Sequence, residues 1–234
     1  MKVVIDGFVN TMSKPQRTAG FVYLPFHIFL IPLFVEMLAH YLPNGLDDIA
    51  ANIIYYGMGF SFCLICMWRY LRGAYDVLID NLVKNIVAFI FSYVIFILLS
   101  YIAAGAVFAI LGDSVLNPNN DAVKAMANES PRAVWGLTVF LAPVVEETLF
   151  RGVLFGSVQP KNRTLAYILS IAAFGFYHEW QYALAFMDWK ILIYMLQYVP
   201  AGYALAWLYE KTNCIWMPVF LHMTVNLITM TIMV

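Results

Sequence analysis

The chain has 234 residues, of which 63% are hydrophobic and 12% charged, and its formal net charge is −1. Mean hydropathy is +0.77. These proportions exclude a soluble domain, and the lack of a basic patch excludes a nucleic-acid partner, leaving an all-α polytopic membrane protein whose solvent is the lipid bilayer.

The first twenty residues are polar and carry Lys2, Lys14 and Arg17. With no early apolar stretch and no small-residue cleavage site, they do not read as a removable signal peptide. A spanning helix needs about 20 apolar residues. Seven stretches meet or approach that length, at residues 21–42, 52–68, 86–111, 133–158, 165–186, 191–209 and 215–234. An eighth, half-inserted segment stays open. Between the second and third stretches, residues 69–85 set Tyr75, Leu78, Ile79 and Leu82 against Arg72, Asp76, Asp80 and Lys84 on a helical period. That pattern predicts an amphipathic helix on the membrane surface. The longest connection, residues 112–132, holds Asn117–Pro118–Asn119–Asn120 and reads as an exposed loop. Cys63 and Cys66 have the spacing of a redox pair, but they lie inside an apolar run and read as small buried hydrophobes. There are no internal repeats, so residues 1–234 form one membrane domain.

Orientation follows from Lys and Arg. With the N-terminus cytoplasmic, the inner segments hold nine (Lys2, Lys14, Arg17, Arg69, Arg72, Lys84, Lys161, Arg163, Lys211) and the outer ones three (Lys124, Arg132, Lys190). The asymmetry predicts a multi-pass plasma-membrane protein with its N-terminus inside.

Ionisable side chains at bilayer depth cost roughly 2.5–3.5 kcal/mol on insertion scales. Glu146, Glu147 and Arg151 nonetheless interrupt the fourth stretch, and His178 and His222 sit in the fifth and seventh. At 1.5 Å per residue, Glu146, His178, His222 and Asn226 fall roughly 10–20 Å below the cytoplasmic surface, in one layer. Glu147 and Arg151 are four apart and can pair on one helix face, leaving Glu146 free. Pro143 just before them is expected to open the backbone. Phe174 lies one turn before His178, and His222 and Asn226 share a face. A carboxylate with an imidazole can hold and deprotonate water. A second imidazole with a carboxamide can stabilise an oxyanion. His27, Glu36, His40 and Glu179 are other polar residues in or near spans, and they are left outside this set.

In order, Glu146–Glu147 with Arg151, Phe174 with His178, and His222 with Asn226 resemble the EExxxR, FxxxH and HxxxN/D motifs of the CPBP (CAAX protease and bacteriocin-processing, or Abi) intramembrane protease family, which includes the Ras-converting CAAX endopeptidase. The resemblance covers residues 133–234. It implies a glutamic-type intramembrane endopeptidase in which Glu146 and His178 activate water and His222 and Asn226 form the oxyanion hole. Glu147, Arg151 and Phe174 support them, and no cofactor is needed. The implied partner is a membrane-associated peptide or protein, entering laterally or from the cytoplasmic side. Two rivals stay open: a zinc enzyme using Glu146, His178 and His222, although HExxH is absent, and a non-catalytic membrane protein such as a bacteriocin-immunity factor or scaffold. The sequence leaves the oligomeric state open.

Overall fold

The computed structural model describes residues 7–112 and 117–233. Lys2 and residues 113–116 of the expected loop lie outside the described residues. Among those described there are nine helices and no strand. The helices are α1 (Lys14–Tyr41), α2 (Asp48–Cys66), α3 (Trp68–Asp80), α4 (Leu82–Leu111), α5 (Pro118–Glu129), α6 (Pro131–Val158), α7 (Arg163–Ala185), α8 (Trp189–Thr212) and α9 (Trp216–Met233).

All seven expected stretches are helical. Five of them (α1, α2, α4, α6, α8) are long and apolar enough to cross a membrane, and α9 is a shorter apolar helix. At 23 residues α7 has the length, but it carries His178 and Glu179 in its C-terminal third and is less apolar.

Helix starts follow ordinary capping chemistry. Ser13 and Gln16 form a capping box at α1. Asp47 Oδ1 accepts from the Ala50 amide at 2.6 Å to start α2, and Asn162 Oδ1 accepts from Leu165 at 3.0 Å to start α7. The same chemistry corrects the expected exposed loop. Asn117 accepts from the amides of Asn119 and Asn120, and Pro118 takes the first helical position, so Asn–Pro–Asn–Asn starts α5. Asn117 itself is buried at 2% exposure. The amphipathic helix also differs in detail. It ends at Asp80, and its protein-facing stripe is Tyr70, Leu71, Ala74 and Leu78. Tyr75 and Ile79 are exposed and form a second apolar stripe suited to lipid, while Leu82 lies beyond the helix at the start of α4.

The bundle is organised around α6, buried on every side from Ala142 to Val153. A helix hydrophobic all round belongs at the centre. Two glycines let its neighbours come close. A side chain at Gly20 of α1 would overlap Val153, and a Cβ at Gly59 of α2 would lie 2.7 Å from Val145 Cγ1. Such small residues are the usual means of close helix approach in membranes. By contrast α4 is peripheral. It packs on α8 through Ser92, whose hydroxyl donates to the Ala204 carbonyl at 2.7 Å, and it exposes Ile90, Leu98 and Ile102.

The ends of the helices sort onto two faces. On one, the Val9 amide donates to Asn213 Oδ1, Trp216 Nε1 donates to the Leu71 carbonyl, and Arg163 grips Glu210 through both carboxylate oxygens at 2.7 and 2.9 Å. The other face joins α5 to the start of α2 (Asn52 Nδ2 to Met126 Sδ, 3.5 Å) and to α8 (Asn117 Nδ2 to Gln197 Oε1, 2.9 Å; Asn119 Nδ2 to Tyr198 Oη, 3.0 Å).

Candidate active site

The carboxylate pair sits where α6 departs from ordinary geometry. Gly136–Leu141 and Glu147–Phe155 are π-helical, with Ala142–Glu146 as an α-helical link between them. Wide turns of this kind are rare and occur frequently at functional sites. The distortion therefore extends on both sides of Pro143 rather than being a break at the proline alone.

Arg151 Nη1 donates to Glu147 Oε1 at 2.8 Å, with both side chains fully buried, giving the expected pair four residues apart. Sequence reasoning missed the third member of the group. His222 Nδ1 lies 2.8 Å from the same Glu147 oxygen. A carboxylate only accepts, so Nδ1 carries the hydrogen and Nε2 of the ring faces the opposite way. Glu147 thus orients a histidine on another helix as well as neutralising Arg151. Arg151 also places its guanidinium 4.2 Å from the centre of the Phe174 ring, a desolvated cation–π contact. The Phe174 ring in turn meets both His178 (4.7 Å) and His222 (5.8 Å) edge-on. Phe174 is therefore the wedge that spaces the two imidazoles.

His178 is fixed by its own helix. Its Nδ1 faces the Phe174 carbonyl at 2.8 Å, which can only accept, so in the neutral ring Nε2 presents a lone pair. The Tyr198 ring stacks on it at 4.2 Å.

These constraints converge on Glu146. The Nε2 atoms of His178 and His222 each lie 3.9 Å from Glu146 Oε2. That oxygen has no hydrogen-bond partner among the described residues, although Glu146 is only 2% exposed. The other oxygen, Oε1, accepts from the Tyr56 hydroxyl at 3.0 Å, and the Tyr56 and Tyr177 hydroxyls lie 3.2 Å apart. Tyr56 and Tyr177 were not legible as site residues. In a chain with fifteen tyrosines, one tyrosine in a span carries no distinguishing signal. The position of Tyr177 beside His178 was the one available hint.

Asn226 donates from Nδ2 to the Thr138 carbonyl at 2.7 Å. That bond uses one of its two amide hydrogens and leaves the second free. Glu146, His178, His222 and Asn226 all line one cavity of about 270 Å³, together with Thr138 and Tyr198. The four residues expected to converge therefore share one chamber within the bundle. Unpartnered carboxylate oxygen and two imidazole nitrogens at 3.9 Å leave space for a small bridging molecule such as water, which needs two to four polar partners.

Among the described residues, no group of three His, Cys, Asp or Glu side chains is disposed to hold a metal ion. Cys63, Cys66 and Cys214 are free thiols outside the chamber. His27 and Glu179 are fully buried but do not line it. His27 stacks on Tyr55 at 4.5 Å.

Residues 128–228 match a family model described as type II CAAX prenyl endopeptidase Rce1-like. Among curated proteins, the chain is 33% identical over 87 residues to the "Putative membrane peptidase YdiL" of Bacillus subtilis (strain 168), a match covering 37% of this chain and 31% of that protein. It is 30% identical over 87 residues to UPF0177 protein YxdF of Lactococcus lactis subsp. lactis (strain IL1403), covering 37% of this chain and 42% of that protein. The matches thus span less than half the length of these relatives. No solved structure matches the chain.

Proposed function

With an Rce1-like CAAX prenyl endopeptidase domain at residues 128–228 as premise, we propose that this membrane protein is an intramembrane endopeptidase of glutamic type. The observation that carries the reading is the unpartnered Oε2 of Glu146, held 3.9 Å from the Nε2 atoms of both His178 and His222.

The chemistry follows from which atoms are free. Oε1 of Glu146 is occupied by Tyr56, so Oε2 faces the chamber as the base. A water between Oε2 and the lone pair on His178 Nε2 is oriented by both, and Glu146 takes its proton as the oxygen attacks the scissile carbonyl. The carbonyl oxygen then becomes an oxyanion. His222 Nε2, when protonated, and the second amide hydrogen of Asn226 are the donors for it, each worth roughly 2.7–4 kcal/mol in comparable sites. Collapse of the tetrahedral intermediate returns the proton from Glu146 to the leaving amine. No covalent acyl-enzyme forms, and no metal takes part.

The substrate in this reading is a membrane-associated protein or peptide. The membrane in this reading is the plasma membrane, and the Lys and Arg asymmetry supports an N-terminus on its cytoplasmic side. The test compares the proteomes of membranes carrying the parent chain and Glu146→Gln. Uncut precursors should accumulate with the variant, and identical proteomes would overturn the reading in favour of a non-catalytic binding or immunity role.

A further inference from the structure

A second cavity, of about 610 Å³, lies against the chamber and shares Tyr56, Asn119 and His178 with it. Its floor is Tyr56, Tyr177 and His178, and its rim includes Ala39, Leu46, Asp48, Leu184 and Ala185. In the chain these rim residues sit at the end of α1, the start of α2 and the end of α7. All three ends lie on the face that α5 covers. None of the residues lining this cavity comes from the opposite face, where Arg163 grips Glu210 and Lys14, Arg69, Lys161 and Lys211 cluster at the helix ends. The first cavity leans the same way, since Asn117, Asn119, Asn120 and Val123 around the start of α5 form part of its wall. The Lys and Arg count makes the face away from this vestibule the cytoplasmic one.

We propose that the second cavity is the entrance to the active site, and that it admits an extended polypeptide segment from the extracytoplasmic side. Glu36 and Asp48 on its lining are exposed carboxylates and keep the entrance wet. Tyr56 and His178 stand at the junction of the two cavities, so a chain passing from vestibule to chamber crosses the Glu146–His178 pair. Entry from this side differs from the lateral or cytoplasmic entry expected from the sequence. Counting residues from helix ends gives distance along one helix, whereas the opening is set by which ends splay apart. The substrates on this view are exported or outward-facing membrane peptides, not the lipidated C-termini of cytoplasmic proteins. The identity of the occupant as substrate rests on the endopeptidase reading; the side of entry does not.

The test labels variants carrying one added cysteine in intact cells with a membrane-impermeant maleimide, using the parent chain with its three native cysteines as blank. Asp48→Cys at the rim and Asn119→Cys at the junction are expected to label in intact cells, with Lys161→Cys labelling only after permeabilisation. The reverse pattern would place the entrance on the cytoplasmic side and overturn the proposal. Failure of Asn119→Cys to label under either condition, while Asp48→Cys does, would show that the vestibule does not reach the chamber and would overturn it equally. Cleavage by the parent chain compared with Glu146→Gln is read separately. Loss of that difference defeats the endopeptidase reading while leaving the labelled side intact.

Discussion

At the scale of single residues, the site is a set of oxygen and nitrogen atoms whose partners are already assigned. Glu146 gives one oxygen to Tyr56 and leaves the other, the proposed base, without a partner among the described residues. Replacing it by Gln removes the proton acceptor, and cleavage of the accumulating precursor should fall by at least ~10²-fold, the lower bound for a lost general base, measured as precursor half-life in membranes. Tyr56→Phe leaves the ring in place and deletes the donor to Oε1. Glu146 is then free to rotate, so turnover should fall about 10-fold with thermal stability in detergent unchanged, less than the ~10²–10⁴-fold attributed to general-base catalysis as a whole, because the base itself is still present. Equal turnover would assign Tyr56 to packing alone. Because water activation here is proposed to run through Glu146 and His178 without metal, chelator treatment should leave cleavage intact. Loss of activity on chelation and recovery with zinc would restore the zinc alternative. The four motif residues were legible because an ionisable or amide group in an apolar span has few ordinary explanations. Tyr56 was not, because its hydroxyl is unremarkable until a carboxylate 90 positions away is placed 3.0 Å from it.

At the scale of the helix, what matters is how α6 is held. A sequence period of 3.6 residues predicts the Glu147–Arg151 pairing, and the pairing is present. It does not predict the π-helical stretches on either side of Ala142–Glu146, since no residue type marks a π turn as Gly or Pro marks a bend. The buried Glu147–Arg151–His222 group is maintained at a desolvation cost, and removing one member leaves an uncompensated charge in a dry core. Arg151→Ala should therefore destabilise the fold by roughly 3–5 kcal/mol, seen as a lower melting temperature in detergent. A melting point unchanged from the parent chain would show that Glu147 is neutralised elsewhere. Gly59→Leu is the corresponding test of packing. Its side chain would meet Val145, the neighbour of Glu146, and His27. Overpacking costs about 1–3 kcal/mol, and because the displaced strand of contacts runs directly into Glu146, activity should fall further than stability.

At the scale of the whole molecule, a central α6 is ringed by helices that shield its charges, and α4 stands at the lipid boundary. Leu98 lies near the middle of α4 and is exposed at 60%. Leu98→Arg should cost roughly 2.5–3.5 kcal/mol of membrane insertion, lowering the amount of inserted protein, whereas Leu98→Ile should be silent. Equal insertion of Leu98→Arg would mean that this face of α4 is covered by another chain rather than lipid. The two faces of the bundle also differ in kind. One carries most of the Lys and Arg residues and is closed by hydrogen bonds between helix ends, and the other carries α5 and both cavity walls.

The amino-acid order by itself determined the class, the spans and the chemical types at the site. Hydrophobic run length against bilayer thickness is a local property, and a buried charge announces itself in any apolar run. Only the tertiary structure decided which atoms of those residues face one another, that Glu147 serves His222 as well as Arg151, that α5 replaces the expected loop, and which helix ends line the cavities. These depend on how helices distant in sequence rotate and splay against each other, a packing outcome summed over many weak contacts that no single segment encodes.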